Sequence, residues 1–188
     1  MSSDLSSYPP LTQTLLKNRG VTNTVDAEHF LSPDFTRDVR DPFGILNMEK
    51  AVERVIRAID TNEHIAIYAD YDCDGIPGAV IFNDFLKKIK YENFEVYIPH
   101  RNSEGYGLNT KALDALASRE TTLVITVDCG ITDVAEIAHA NALGMNVIVT
   151  DHHLPSDTLP RAYAIINPKQ ARDTYHDKML CGAAVAWK

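Results

Sequence analysis

Three acidic clusters hold the side chains best suited to chemistry in this 188-residue sequence. "YADYDCDG" supplies Asp70, Asp72 and Asp74, "TVDCG" supplies Asp128, and "VTDHH" supplies Asp151, His152 and His153. Each cluster follows an apolar run of strand length, so the pattern predicts acidic loops at the ends of buried strands. Carboxylates and imidazoles gathered there can hold divalent cations against a phosphate. Hard cations such as Mg²⁺ prefer oxygen ligands, and Mn²⁺ also accepts imidazole, which makes Asp72, Asp74, Asp128 and His152 a plausible mixed set. A lone Asp after a strand is more often a helix cap. Three on separate strands, beside two histidines, favour a site. A calcium-loop reading fails, because the spacing lacks the distant bidentate Glu. Gly75 permits the tight turn that brings the first loop to the ions. His152 and His153 are adjacent, so their side chains are expected to diverge, one binding metal and the other contacting a phosphate or protonating a leaving group.

A second motif, "PHRNSEGYGLN", offers Arg101, Tyr106 and Gly107 as substrate-binding residues. Arginine presents a planar fork to phosphate, and the glycines on either side of Tyr106 would let backbone approach a ligand. By spacing alone, a Gly-rich connection with a surface Arg explains the segment equally well. His29, His64, His139 and His176 read as surface residues, and His100 is left open.

The elements that must position these residues follow from periodicity. "NMEKAVERVIRAIDTN" carries Met48, Val52, Val55, Ile56 and Ile59 at helical spacing. Three strand-and-helix units then alternate, "HIAIYAD" with "PGAVIFNDFLKKIK", "FEVYIPH" with "TKALDALASR" and "TLVITVD" with "DVAEIAHANALG", followed by "NVIVTDH" as a fourth strand and "AYAIINP" as a fifth. Such alternation predicts an α/β fold, a mainly parallel sheet flanked by helices. Before it, "LTQTLLKNRG" and "DAEHFLSPDF" form a short helical lead-in, and residues 1 to 9 read as a loose tail. A hydrophobic content of 45% lets the chain bury a real core.

Charge and cysteines narrow the classes. A net charge of −8 argues against a wholly basic nucleic-acid binder. It does not exclude a phosphate substrate, because bound cations reverse the local field. Cys73, Cys129 and Cys181 form no CxxC pair and follow no signal peptide, which predicts a reducing cytoplasm. No apolar run is long enough to span a membrane. There is no GxGxxG after the first strand and no Walker sequence, which disfavours a plain nucleotide-binding module.

Taken together, "YADYDCDG", "TVDCGIT" and "DHH" resemble the motifs of the DHH phosphoesterase superfamily. "IPHRNSEGYGLN", "IINPKQ", "LCGAAVAWK" and the lead-in resemble its RecJ group, the single-strand-specific DNA exonucleases, over residues 11 to 188. The resemblance implies two Mn²⁺ or Mg²⁺ ions held by Asp72, Asp74, Asp128 and His152, with Asp128 bridging. His153 would contact the scissile phosphate, Asp70 and Asp151 would orient or complete the ligand set, and Arg101 would lie near the substrate backbone. It further implies 5′ to 3′ hydrolysis of single-stranded DNA in repair and recombination, with a helicase or single-strand-binding protein as partner. The rivals are a DHH phosphoesterase acting on short oligonucleotides, cyclic dinucleotides or pyrophosphate, and a non-catalytic replication scaffold.

Departures from the group's pattern are Pro77 and Gly78, where hydroxyl residues are usual, and His100, where an Asn is usual. "CGAAVAWK" stops at Lys188 like a helix cut short. The expected organisation is therefore a lead-in over residues 1–45 and a partial DHH domain over 46–188. A further Asp ligand and a second domain would lie beyond, so the fragment should bind Mn²⁺ weakly and show little nuclease activity.

Overall fold

The central strands form where apolar side chains predominate, and in the computed structural model, which describes residues 4–188, all five strands lie parallel in one sheet. They are β1 (His64–Ala69), β2 (Phe94–Tyr97), β3 (Thr121–Val127), β4 (Asn146–Thr150) and β5 (Ala164–Ile166), in the spatial order β2-β1-β3-β4-β5. A parallel sheet covered on both faces needs strands apolar on both sides, which is why these read as continuous rather than alternating runs.

Two packed units account for the described chain, divided after Asp41. The first contains α1 (Pro10–Lys17), α2 (Thr24–Leu31) and α3 (Phe35–Asp38). Asn23 and Asp34 cap the second and third of these, accepting from the N–H groups of Asp26 and Arg37 at 2.9 and 2.8 Å. Leu16 and Ala27 bury Leu5 between them. The expected loose tail is thus corrected for its described part, since Leu5 has an apolar seat worth about 2 kcal/mol; residues 1–3 lie outside the described residues.

The second unit opens with a 3₁₀ turn at Pro42–Gly44 and buries Ile45 against Met48, so it starts slightly ahead of the boundary drawn from the sequence. Its helices are α4 (Met48–Asp60), α5 (Gly75–Lys88), α6 (Thr110–Ala117), α7 (Val134–Ala142) and α8 (Gly182–Trp187). Strand alternation sorts the core into two layers. Ile65, Ile67 and Ala69 point to the face covered by α4, α5 and α8, while Ala66 and Tyr68 point to the face covered by α6 and α7. Two boundaries moved from expectation. β2 stops at Tyr97, because Pro99 has no N–H for the ladder. α5 starts at Gly75 rather than Pro77, since a proline in the first turn gives up no helical bond.

One buried charge ties the layers together. The Arg54 guanidinium on α4 is 3% exposed and donates to Asn146 Oδ1 at 2.7 Å and to Glu63 Oε2 at 2.6 Å. Removing the carboxylate leaves a buried cation without its partner. Glu63→Ala should therefore cost roughly 3 kcal/mol, read as a lower urea midpoint at unchanged m-value.

Candidate metal centre

The strand order reverses direction between β1 and β3, and in open α/β sheets such a switch point opens a crevice beyond the carboxyl ends of the strands. Asp70 follows β1, Asp128 follows β3 and Asp151 follows β4, so the three acidic loops converge on that crevice.

The first loop is shaped by its own hydrogen bonds. Asp72 Oδ1 accepts from the N–H groups of Asp74 and Gly75 at 2.8 and 3.0 Å, which starts α5. The Gly75 bond leads the effects that hold the Asp72 carboxyl below its ordinary range. Gly75 is required by space: a Cβ there would lie 2.2 Å from the Asp70 carbonyl oxygen. Asp70 is buried, and its Oδ1 has no hydrogen-bond partner.

Asp128 sits at the centre. Its backbone is left-handed, with φ of 62°, a conformation that Asp tolerates better than most residues. Its Oδ1 is buried and makes no hydrogen bond, although His152 Nε2 stands 3.1 Å away. Burial, reinforced by the nearby charge of Asp72, pushes the carboxyl up to about 8. Burial likewise raises Asp70, and burial followed by the neighbouring His153 lowers His152. Gly182, at the start of α8, closes the other side: a Cβ there would fall 2.3 Å from Asp128 Oδ1.

Asp151 does different work. Its buried carboxylate accepts from the N–H groups of Ile131, His152 and His153 at 3.0, 2.7 and 3.0 Å, and lies 2.8 Å from His153 Nδ1. Asn167 completes the bracket, donating to the His153 carbonyl at 2.9 Å. The two imidazoles do not diverge as expected. Their ring centroids are 4.6 Å apart, and both face Asp128, because they lie in a loop past the end of β4 where strand alternation no longer applies. Asp151→Asn would turn donor groups towards these donors. It should lower unfolding free energy by about 3 kcal/mol, measured in urea, and loosen the histidine loop.

Two groups of ligand atoms result. Those of Asp70, Asp72 and Asp128 lie within 4.8 Å of one another, as do those of Asp128, His152 and His153, so Asp128 belongs to both. This redistributes the expected roles. Asp70 and His153 stand with the ligand atoms, whereas Asp74 is in neither group: its Oδ2 accepts from the Gly182 N–H at 3.3 Å and lies 3.6 Å from His152 Nε2. The arrangement fits a pair of divalent cations. Unsatisfied buried carboxylate oxygens and a carboxyl displaced upward are the marks of a site lacking positive charge.

Around the site, Tyr106 donates to the Asp128 carbonyl at 3.1 Å and meets His153 edge to face. Arg101 stands over the Tyr71 ring, 4.7 Å from its centroid. Gly107 is not presented to a ligand: it is buried, its carbonyl accepts from Tyr68 Oη at 3.1 Å, and a Cβ would meet Asp133 at 2.8 Å. The glycine there serves close packing. Gly78 has a similar explanation, since a Cβ would lie 2.5 Å from a Val127 methyl. His100 is exposed and bonded locally to Glu104 and Ser103. Asn167 and Gly182 join the site from "IINPKQ" and "LCGAAVAWK", motifs whose sequence points to no particular site residue.

A metal-ready crevice at the switch point of an all-parallel sheet defines the class: residues 64–188 match the DHH family, N-terminal domain, and the chain belongs to that family. Within it, the chain is similar to the single-stranded-DNA-specific exonuclease RecJ of Bacillus subtilis (strain 168), at 41% identity over 95% of this chain and 22% of that protein. The Escherichia coli (strain K12) protein of the same name is 37% identical over 97% of this chain and 31% of its own length. The fold is similar to the crystal structure of exonuclease RecJ bound to manganese, with a TM-score of 0.71 and 31% identity over 79% of this chain and 37% of that one. The chain thus spans between about a fifth and a third of the length of these curated relatives.

Proposed function

We propose that this chain is the ion-binding part of a Mn²⁺- or Mg²⁺-dependent phosphodiesterase acting on single-stranded DNA, with 5′ to 3′ polarity. The observation that carries the reading is Asp128, one buried carboxylate shared by two ligand groups and unsatisfied by the protein. Similarity to RecJ exonucleases supports the substrate class.

Asp70, Asp72, Asp128, His152 and His153 would hold the ions, with Asp74 close by. When bound, a pair of such cations stabilises the attacking and leaving oxygens of an in-line displacement. The protein's share is placement. The N–H groups of Asp74 and Gly75 fix Asp72, and left-handed backbone fixes Asp128. Asp151 orients the His153 ring through Nδ1. Tyr106 screens one side of that ring. Arg101 offers positive charge for the backbone of the strand.

Work in DNA repair and recombination, beside a helicase or single-strand-binding protein, belongs to the same reading. Three unpaired cysteines support a reducing cytoplasm. Among the described residues no helix is long and apolar enough to cross a membrane.

The test is a panel of long single-stranded DNA, duplex, dinucleotide and pyrophosphate, each given to the protein with Mn²⁺. Release of mononucleotides from single strands in preference to the other substrates is expected. Preference for dinucleotide or pyrophosphate would move the assignment to another DHH phosphoesterase.

A further inference from the structure

We infer that Tyr71 is a positioning residue, holding the Arg101 guanidinium ready for a phosphate of the substrate strand. The inference rests on the single-strand reading above and gives it a second contact zone. Tyr71 lies between Asp70 and Asp72, inside the loop that supplies carboxylates, whereas Arg101 comes from the separate "RNSEGYGLN" loop. The guanidinium carbon of Arg101 is 4.7 Å from the Tyr71 ring centroid.

That stack solves an electrostatic problem. A flexible cation beside Asp70, Asp72 and Asp74 would ordinarily be drawn into an ion pair and compete with metal. Among the described residues, Arg101 forms no ion pair with these carboxylates and donates no hydrogen bond. It is near enough for its charge to act on Asp70. The ring holds it aside. A guanidinium that rests its face on an aromatic ring keeps its edge N–H groups for a bidentate anion. The side chain also surrenders less rotamer freedom when the anion arrives. The aromatic residue within the acidic loop therefore contributes to strand recognition through the arginine it carries.

The experiment measures binding of a fluorescent phosphorothioate oligothymidylate by anisotropy, over a series of salt concentrations with Mn²⁺ present. Arg101→Gln should weaken binding about tenfold and flatten the salt dependence by a slope of roughly 0.7, one phosphate contact on a single strand. Tyr71→Leu should weaken binding about two- to fivefold while keeping the wild-type slope, because the arginine still reaches its phosphate. Tyr71→Phe should restore affinity. On the Arg101→Gln background, Tyr71→Leu should have no further effect. Wild-type affinity in Tyr71→Leu, or an equal loss on both backgrounds, overturns the inference. So does loss of Mn²⁺ binding by Tyr71→Leu in calorimetry, which would place the ring's role in the carboxylate loop itself. Failure of the wild-type chain to bind the oligonucleotide at all would instead sink the single-strand reading, and the phosphate role with it.

Discussion

Asp128→Asn is expected to abolish Mn²⁺ binding by this chain and, in ion-free buffer at pH 8, to make the fold more stable than the wild type. The sign follows from the raised carboxyl. Unfolded, Asp128 ionises near its ordinary value of 3.8, whereas in the fold it does so at about 8. The folded state then holds a proton that the unfolded state has lost, so the ion-free fold loses stability as pH rises between those values. Asparagine is neutral throughout. Its amide can also donate to His152 Nε2, which stands 3.1 Å from the present Oδ1. The gain should be on the order of 1 kcal/mol at pH 8, or roughly 2 to 4 °C in Tm for a chain of this size. Saturating Mn²⁺ reverses the order, since an ion at a hundred times its Kd adds about 2.7 kcal/mol to a protein that binds it. Thermal melts at pH 6 and pH 8, with and without Mn²⁺, check both halves. A variant that keeps the wild-type shift with Mn²⁺ would refute the shared-ligand assignment. The catalytic counterpart is that Asp128→Ala removes nearly all Mn²⁺-dependent hydrolysis while leaving the chain folded.

The second large effect separates two glycines that touch the same site. At Gly75, an added Cβ would meet the Asp70 backbone, 2.2 Å from its oxygen and 2.5 Å from its carbonyl carbon. Backbone between two fixed elements cannot step aside. Gly75→Ala should therefore cost roughly 3 kcal/mol and remove Mn²⁺ binding together with stability. At Gly182, the atoms met first belong to the Asp128 carboxylate, at 2.3 and 2.5 Å, and a side chain can turn. Gly182→Ala should cost about 1 kcal/mol, yet lower Mn²⁺ affinity at least tenfold by rotating the shared ligand. Urea unfolding and calorimetry on the two variants read the contrast. Unchanged Mn²⁺ affinity in Gly182→Ala would show that Asp128 does not need its present orientation.

These residues also mark what a linear sequence reveals. The strands were legible because burial on both faces leaves runs such as "HIAIYAD" and "TLVITVD" almost without polar residues, and the acidic loops were legible because each run ends in Asp. The parallel sheet follows from the alternation with helices. What could not be read depends on contacts between distant segments. Gly182 matters through Asp128, more than fifty positions earlier, and nothing in "CGAAVAWK" says which side chain it will face. The motif alone places Asp74 among the ligands and lets Asp70 either orient or complete the set. Only the path of the turn, fixed by bonds from Asp74 and Gly75 to Asp72, decides which carboxylates point inward. Gly107 is ambiguous in the sequence because close packing against Asp133 and close approach to a substrate demand the same absent side chain.

The start of α8 presses on Asp128 and donates to Asp74, and five residues later that short helix carries Trp187, the protein's single tryptophan. Ion capture that turns the shared carboxylate should therefore be readable in the fluorescence of that indole, which is about half exposed at the far end of α8, during a Mn²⁺ titration.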